Sequence, residues 1–383
     1  MAGQFLFGIT LALFGTLFGI PAFTKALGLE LGMQANLLVA LYAGQMLFTA
    51  VAGRLVDRFG ALRLLATGAG LLSASLALTG MAGSAAPALV AASVMSLGGA
   101  AMNAGSNVLV SDTYGDERGP MLNIVALFGA LGAISVPFAF AGVDTIGEAR
   151  TRLLALAAFG LLTGIGHLAQ RQPAVASHER DARPSTRAIL ADGWIVALIV
   201  LLAIDFGLES IAAGWFSTYT LATFPGGPGT MMVGIYWTAL MVGRLLGPAL
   251  HARMPKLPIL ATAGLVVSLA FAGVSAAPSV PLLGVVVALA GLALGPIGPT
   301  VLSVAGARYS RGTGAVFGVL LSLGQVGSIA LPWTVAQVAG RAGFRVAMTV
   351  ASVSALALAA LAIALWARRG VTGYLRAERV GGA

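Results

Sequence analysis

Twelve apolar runs, each about as long as a bilayer core is thick, follow one another from residue 4 to residue 367 with short polar breaks. A helix rises about 1.5 Å per residue, so roughly 20 apolar residues cross the hydrocarbon. In lipid every backbone polar group needs an internal partner, and runs of this length meet that demand only as helices. The runs fall at residues 4–27, 34–56, 61–82, 86–111, 119–142, 151–170, 193–220, 229–252, 257–276, 280–305, 312–338 and 344–367. Composition agrees: 58% of the 383 residues are hydrophobic and 9% are charged, more apolar surface than a soluble fold of this size can bury. The expected fold is an all-α membrane protein of twelve transmembrane helices. The first run starts without a basic leader and reads as a membrane helix, not as a signal peptide.

Arginine and lysine set the orientation. With both termini inside, 17 of the 22 basic residues lie on inner loops and helix ends, and only Lys25, Arg150, Arg152, Arg341 and Arg345 lie outside. The longest polar stretch, QRQPAVASHERDARPSTR at residues 170–187, reads as an inner linker. It divides the chain into residues 1–170, a linker at 171–191, and residues 192–383 with a short inner tail.

Several function classes drop out. The chain has no cysteine, so disulfide and thiolate chemistry are excluded. His167, His178 and His251 are far apart and give no metal-ligand spacing. The net charge of +9 comes from arginines at helix ends, without a basic run interleaved with aromatics, so no nucleic-acid partner is expected. No G-x-x-x-x-G-K-[ST] loop is present to bind ATP. No nucleophile–base–acid set marks an enzyme. No cofactor is expected. The partners are a small-molecule substrate, protons and the lipid bilayer.

Charge is costly inside a bilayer, which makes an intramembrane acid a functional candidate. Asp205 and Glu209 lie in the apolar run Trp194–Tyr219, one helical turn apart and so on one face. Counted from residue 193 they stand about 18 and 24 Å along the helix. Carboxyls at that depth can couple proton movement to transport; the alternative is a helix staple neutralised by Arg244. Asn103 and Asn107 also share a helix face and offer amides to a hydroxylated substrate, or to a neighbouring helix. Gln45 and Gln325 add polarity to the second and eleventh helices. Trp215 is placed to stack on a sugar ring or to join an aromatic belt with Tyr219 and Trp237.

The halves repeat. Gly129, Gly132 and Pro137 in GALGAISVP return as Gly324, Gly327 and Pro332 in GQVGSIALP, each shifted by 195 residues. LLAT at Leu64 returns as ILAT at Ile259 with the same shift. Such duplication implies two pseudo-symmetric six-helix bundles.

Between the second and third runs, Gly53, Leu55, Asp57, Arg58, Gly60 and Arg63 form a loop that resembles the G-x-L-x-D-R-x-G-x-[RK]-[RK] loop of the major facilitator superfamily; Leu62 departs from it. The resemblance implies the major facilitator fold, alternating access, function as a monomer, and a gating role for Gly53, Asp57, Arg58, Gly60 and Arg63. In the second half, Gly243-Arg244-Leu245-Leu246-Gly247 is similar to a degenerate copy, with Arg244 as its gating residue and His251 near the acid position. More finely, GGAAMNAGSN at Gly98, the Glu209–Trp215–Tyr219 spacing and GALGAISVP resemble the fucose–galactose–glucose–proton symporter branch and related bacterial permeases. That implies a bacterial cytoplasmic membrane and sugar–proton symport. The branch's usual acids are missing here, since Asn103 holds the fourth-helix position and no acid precedes Leu29. Glu209 and Asp205 are then the remaining proton carriers, and Asn103, Asn107, Gln45, Trp215 and Gln325 the candidate substrate contacts. Export of amphipathic compounds and facilitated diffusion are the competing readings.

Overall fold

The computed structural model describes residues 1–114, 118–170, 186–309 and 313–380. They form fifteen helices: α1 (Ala2–Leu17), α2 (Pro21–Leu27), α3 (Leu31–Phe59), α4 (Ala61–Met81), α5 (Ala85–Tyr114), α6 (Arg118–Ala139), α7 (Ile146–Leu168), α8 (Thr186–Leu190), α9 (Gly193–Thr223), α10 (Gly229–His251), α11 (Lys256–Ala276), α12 (Val280–Leu294), α13 (Ile297–Arg308), α14 (Thr313–Ala342) and α15 (Phe344–Val380). Eleven spans are long and apolar enough to cross a membrane, with α12 and α13 taken together, and twelve if α1 and α2 count as one.

Departures from the sequence reading have local causes. The run at 4–27 is not one helix: α1 and α2 meet at 84°. Pro21 opens α2, and Ile20 before it is extended, as a residue preceding proline prefers. The run at 280–305 is interrupted between Leu294 and Ile297, where Pro296 contributes no N–H. The sixth run starts at Ile146 instead of 151 because Thr145 and Glu148 form a capping box: Thr145 Oγ1 accepts from the Glu148 N–H at 3.2 Å, and Glu148 accepts from the Thr145 N–H at 3.3 Å. Of the linker expected at 171–191, residues 171–185 lie outside the described residues, and α8 occupies part of the rest.

The chain forms two compact units. One gathers α1 to α7 with the stretch from Ala212 to Thr238, which holds the end of α9 and the start of α10. The other gathers α8, α9 up to Ile211, and the chain from Ala239 onward. In the first, α4 packs on α5 and α7, α1 on α6, and α3 on α5. In the second, α11 packs on α15 and α12, and α14 on α15.

Each unit uses the repeated glycines in the same way. A Cβ on Gly132 of α6 would fall 1.9 Å from the Phe5 carbonyl oxygen of α1, and one on Gly327 of α14 would fall 1.6 Å from the Ala203 carbonyl oxygen of α9. Only glycine lets those backbones touch. A second correspondence sits in the hairpins. Arg150 of α7 donates to the Ala82 carbonyl at 3.0 Å, at the end of α4, and Arg345 of α15 donates to the Ala277 carbonyl at 2.8 Å, at the end of α11. Both members of this contact repeat at the same spacing of 195 residues.

Candidate functional site

From Gly193 to Ile211, α9 carries no charged residue but Asp205 and Glu209. The helices around it in the second unit are as apolar. α12 has no charged residue, and α13 and α14 carry theirs only at their C-terminal ends, as Arg308 and Arg341. Arg244, well inside α10, is the exception. Its Nη2 donates to Glu209 Oε1 at 2.8 Å, the ion pair anticipated as a staple. The two side chains keep 34% and 17% of their surface exposed. Ionised groups within membrane spans almost always face the protein interior or a water-filled cavity and not lipid.

Asp205, one turn back, is 0% exposed, and neither carboxyl oxygen has a hydrogen-bond partner among the described residues. Room for it comes from Gly298 of α13, where a Cβ would stand 2.9 Å from Asp205 Oδ2. α14 closes the same stretch through Gly324 and Gly327, and Ser328 Oγ donates to the Phe206 carbonyl at 3.3 Å. Gln325 lies on α14 and makes no side-chain hydrogen bond among the described residues. Two carboxyls and one guanidinium therefore stand together in an otherwise uncharged interior, with Gly298, Gly324 and Gly327 spent on close approach.

The second unit holds two further polar groups. His251, at the end of α10, lies 2.8 Å by Nε2 from Thr300 Oγ1. Thr300 already donates to the Pro296 carbonyl at 2.6 Å, so the imidazole is the donor in this contact. At the start of α9, Asp192 accepts from the Trp194 N–H at 2.9 Å and from the Tyr309 hydroxyl, and Arg308 stands 3.7 Å away with its guanidinium over the Trp194 ring. Partial burial would raise this carboxyl, but the hydrogen bonds from Tyr309 and Trp194 and the Arg308 charge outweigh it and hold Asp192 below the ordinary value of 3.8.

In the first unit, Asn103 Oδ1 accepts from both Gln4 Nε2 and Asn107 Nδ2, each at 3.1 Å. The shared acceptor ties α1 to α5. Sequence reasoning named the two asparagines and missed Gln4, which looked like the edge of an apolar run. Gln45 is buried, and its Nε2 has no partner among the described residues. Trp215 is fully buried and stacks on Phe18 with ring centroids 6.3 Å apart. A cavity of about 400 Å³ opens between Leu62, Leu109, Thr113, Tyr114, Met121 and Val125.

The loop that resembles the superfamily's is a turn between α3 and α4. Gly60 takes φ +83°, a conformation glycine adopts without strain, and α4 starts at once after it. Asp57 and Arg58 are exposed, and Asp57, Arg58 and Arg63 make no ion pair with a described residue; the Arg58 guanidinium lies 5.3 Å from the Phe59 ring centroid. Gly53 faces open space.

The family model of the Major Facilitator Superfamily matches residues 1–332. The chain belongs to that superfamily: it is an all-helical membrane protein and a secondary transporter, not an enzyme. Among solved structures, it is similar to a bacterial homologue of the human lysosomal transporter Spinster in an inward-facing, unoccupied conformation, with TM-score 0.75, 14% identity, and coverage of 98% of this chain and 97% of that one. It is also similar to the nucleoside transporter NupG, with TM-score 0.77, 13% identity and coverage of 95% and 99%. The human organic anion transporter MFSD10 gives TM-score 0.64, 19% identity and coverage of 94% and 97%. At these identities the likeness is one of fold. Comparison with curated proteins gives no match.

Proposed function

We propose that the chain is a proton-coupled transporter of a small polar solute, a sugar or related hydroxylated compound, that works by alternating access between two six-helix halves with both termini in the cytoplasm. The observation that carries this reading is the acid pair on α9: Glu209 bound to Arg244 at 2.8 Å, and Asp205 fully buried beside it with no hydrogen-bond partner among the described residues. Two carboxyls facing one guanidinium are neutral as a set only with one proton bound, and a membrane interior favours the neutral set. A proton held there is available to couple to movement of the solute. The amides of Gln4, Asn103 and Asn107 supply donors and acceptors of the kind hydroxyl groups need. Gln45, Trp215 and Gln325 are further contacts in this reading, and the α3–α4 turn with Asp57, Arg58 and Arg63 gates the inner side.

The test is uptake of radiolabelled sugars into proteoliposomes, with and without an inward proton gradient. The gradient should drive accumulation in the wild type. Glu209→Gln and Asp205→Asn should keep exchange and lose accumulation. Equal uptake without the gradient in all three proteins would sink the coupling. One observation favours a second reading, export of amphipathic compounds: the cavity of about 400 Å³ between Leu62 and Val125 is lined mostly by apolar side chains. Competition by lipophilic cations, with none by sugars, would select it.

A further inference from the structure

We infer that the solute handled by the second unit carries a carboxylate, which Arg244 takes up in exchange for Glu209, while the released Glu209 accepts a proton. This rests on the proton-coupled reading above and names the class of solute within it: a small hydroxylated acid, not a neutral sugar.

The first argument is the cation itself. Among the described residues of the second unit, Arg244 is the only arginine or lysine well inside a membrane-spanning stretch; Lys256, Arg308, Arg341, Arg345 and Arg368 stand at or near the ends of theirs. A guanidinium so placed is costly, and recognition of hydroxyl groups does not require it. It is the group of choice for a carboxylate, whose two oxygens match its planar fork. The second argument is access. The Arg244 side chain is 34% exposed and that of its acid partner 17%, so a solute arriving through water meets the guanidinium more readily than Glu209.

The third argument is charge. The empty cluster holds two carboxyls and one guanidinium, and it is neutral with one proton. An arriving carboxylate makes three acids against the same guanidinium, and neutrality then requires two protons. Loading therefore takes up one proton per carboxylate, and the loaded carrier crosses without net charge. Among the described residues of the second unit, the titratable groups on Glu209's own helix and on α10 are Asp205, Arg244 and His251, and His251 is engaged with Thr300 of α13 at 2.8 Å. α12 carries no charge, and α13 and α14 carry theirs only as Arg308 and Arg341 at their C-terminal ends. Asp205 has no partner to release, and Glu209 does, so Glu209 is the one that changes state.

The test is counterflow in proteoliposomes with D-gluconate and D-glucuronate, each beside D-glucose as the neutral match, in wild type, Arg244→Gln, Arg244→Lys and Glu209→Gln. In the wild type the acids should exchange at least about tenfold better than glucose, the scale of a charge-assisted hydrogen bond. Because binding takes up a proton, their apparent affinity should fall as pH rises. Arg244→Gln should lose the preference for the acids, and Arg244→Lys should keep part of it. Glu209→Gln should bind the acids more tightly, since the internal competitor is removed; a staple alone would not produce that gain. A preference for glucose, exchange of the acids that survives Arg244→Gln, or exchange of neither acid overturns the inference. Gradient-driven glucose accumulation without acid exchange would leave the proton-coupled reading standing and remove this one. Acid exchange that ignores both pH and the gradient would remove the coupling and with it the proton step.

Discussion

The carboxyl of Asp205 rests against the bare Cα of Gly298, one helix across, where a Cβ would come within 2.9 Å of Oδ2. Neither oxygen has a hydrogen-bond partner among the described residues, so no hydrogen bond fixes the carboxyl at this contact. Gly298→Ala should therefore push Asp205 out of its place. Overpacking of this kind costs about 1–3 kcal/mol. A lower melting temperature in detergent and a larger loss in gradient-driven uptake than in exchange are expected. Wild-type stability and uptake in this variant would show that the contact restrains nothing.

Glu209 and Arg244 should behave as one unit in a double-mutant cycle. Removing Arg244 alone, as Arg244→Leu, strands an acid in an apolar interior. Removing both charges, as Glu209→Gln with Arg244→Leu, does not. The single variant should lose about 2 kcal/mol, between the value of an exposed pair and that of a fully buried one. The double variant should recover part of it. Additive losses in thermal unfolding would mean the pair is not coupled.

Much of this arrangement is legible in the residues. The helices follow from the length of the apolar runs, because lipid leaves the backbone no other option. Asp205 and Glu209 stand out because charge is rare at that depth, and Arg244 could be named as the partner from its place within the eighth run. The 195-residue repeat marks Gly132 and Gly327 as equivalent. What is not legible depends on contacts between distant segments. Hydropathy does not show that Gln4 reaches Asn103, since an amide at the edge of an apolar run resembles any boundary residue. Nor does it show the 84° bend ahead of Pro21, because a proline in an apolar run is as often only a kink. Arg150 and Arg345 looked like a minority of outer charges, when each in fact caps a helix end in its own unit.

That last contact can be tested directly. Arg345 donates to the carbonyls of Ser275 at 3.0 Å and Ala277 at 2.8 Å, and Ser275 Oγ donates back to the Arg345 carbonyl at 2.6 Å. Cations at a helix C-terminus satisfy carbonyls that the helix itself leaves open. Arg345→Gln should lower stability by about 1–2 kcal/mol, the scale of a charge-assisted hydrogen bond, and Arg150→Gln should do the same through Ala82. Lysine at either position should restore part of the loss. No change in melting temperature for either variant would assign the contact no energetic role.

Asp192 sets a pH dependence at the start of α9. Its oxygens accept from the Trp194 N–H and the Tyr309 hydroxyl, with Arg308 at 3.7 Å, and these hold its folded value below the ordinary 3.8. A depressed carboxyl stabilises the fold fully above its unfolded value and loses that contribution as pH falls through the folded value. The difference in melting temperature between wild type and Asp192→Asn should therefore be constant from about pH 5 to 7 and shrink below the ordinary value, where both side chains are neutral. Asparagine still caps a helix, so this variant reports on the charge. Asp192→Ala removes the cap as well and should cost about a further 1 kcal/mol at any pH. A wild-type advantage over Asp192→Asn that persists undiminished at the lowest pH would mean that the carboxylate charge contributes nothing, and that the contact with Tyr309 and Arg308 is one of shape.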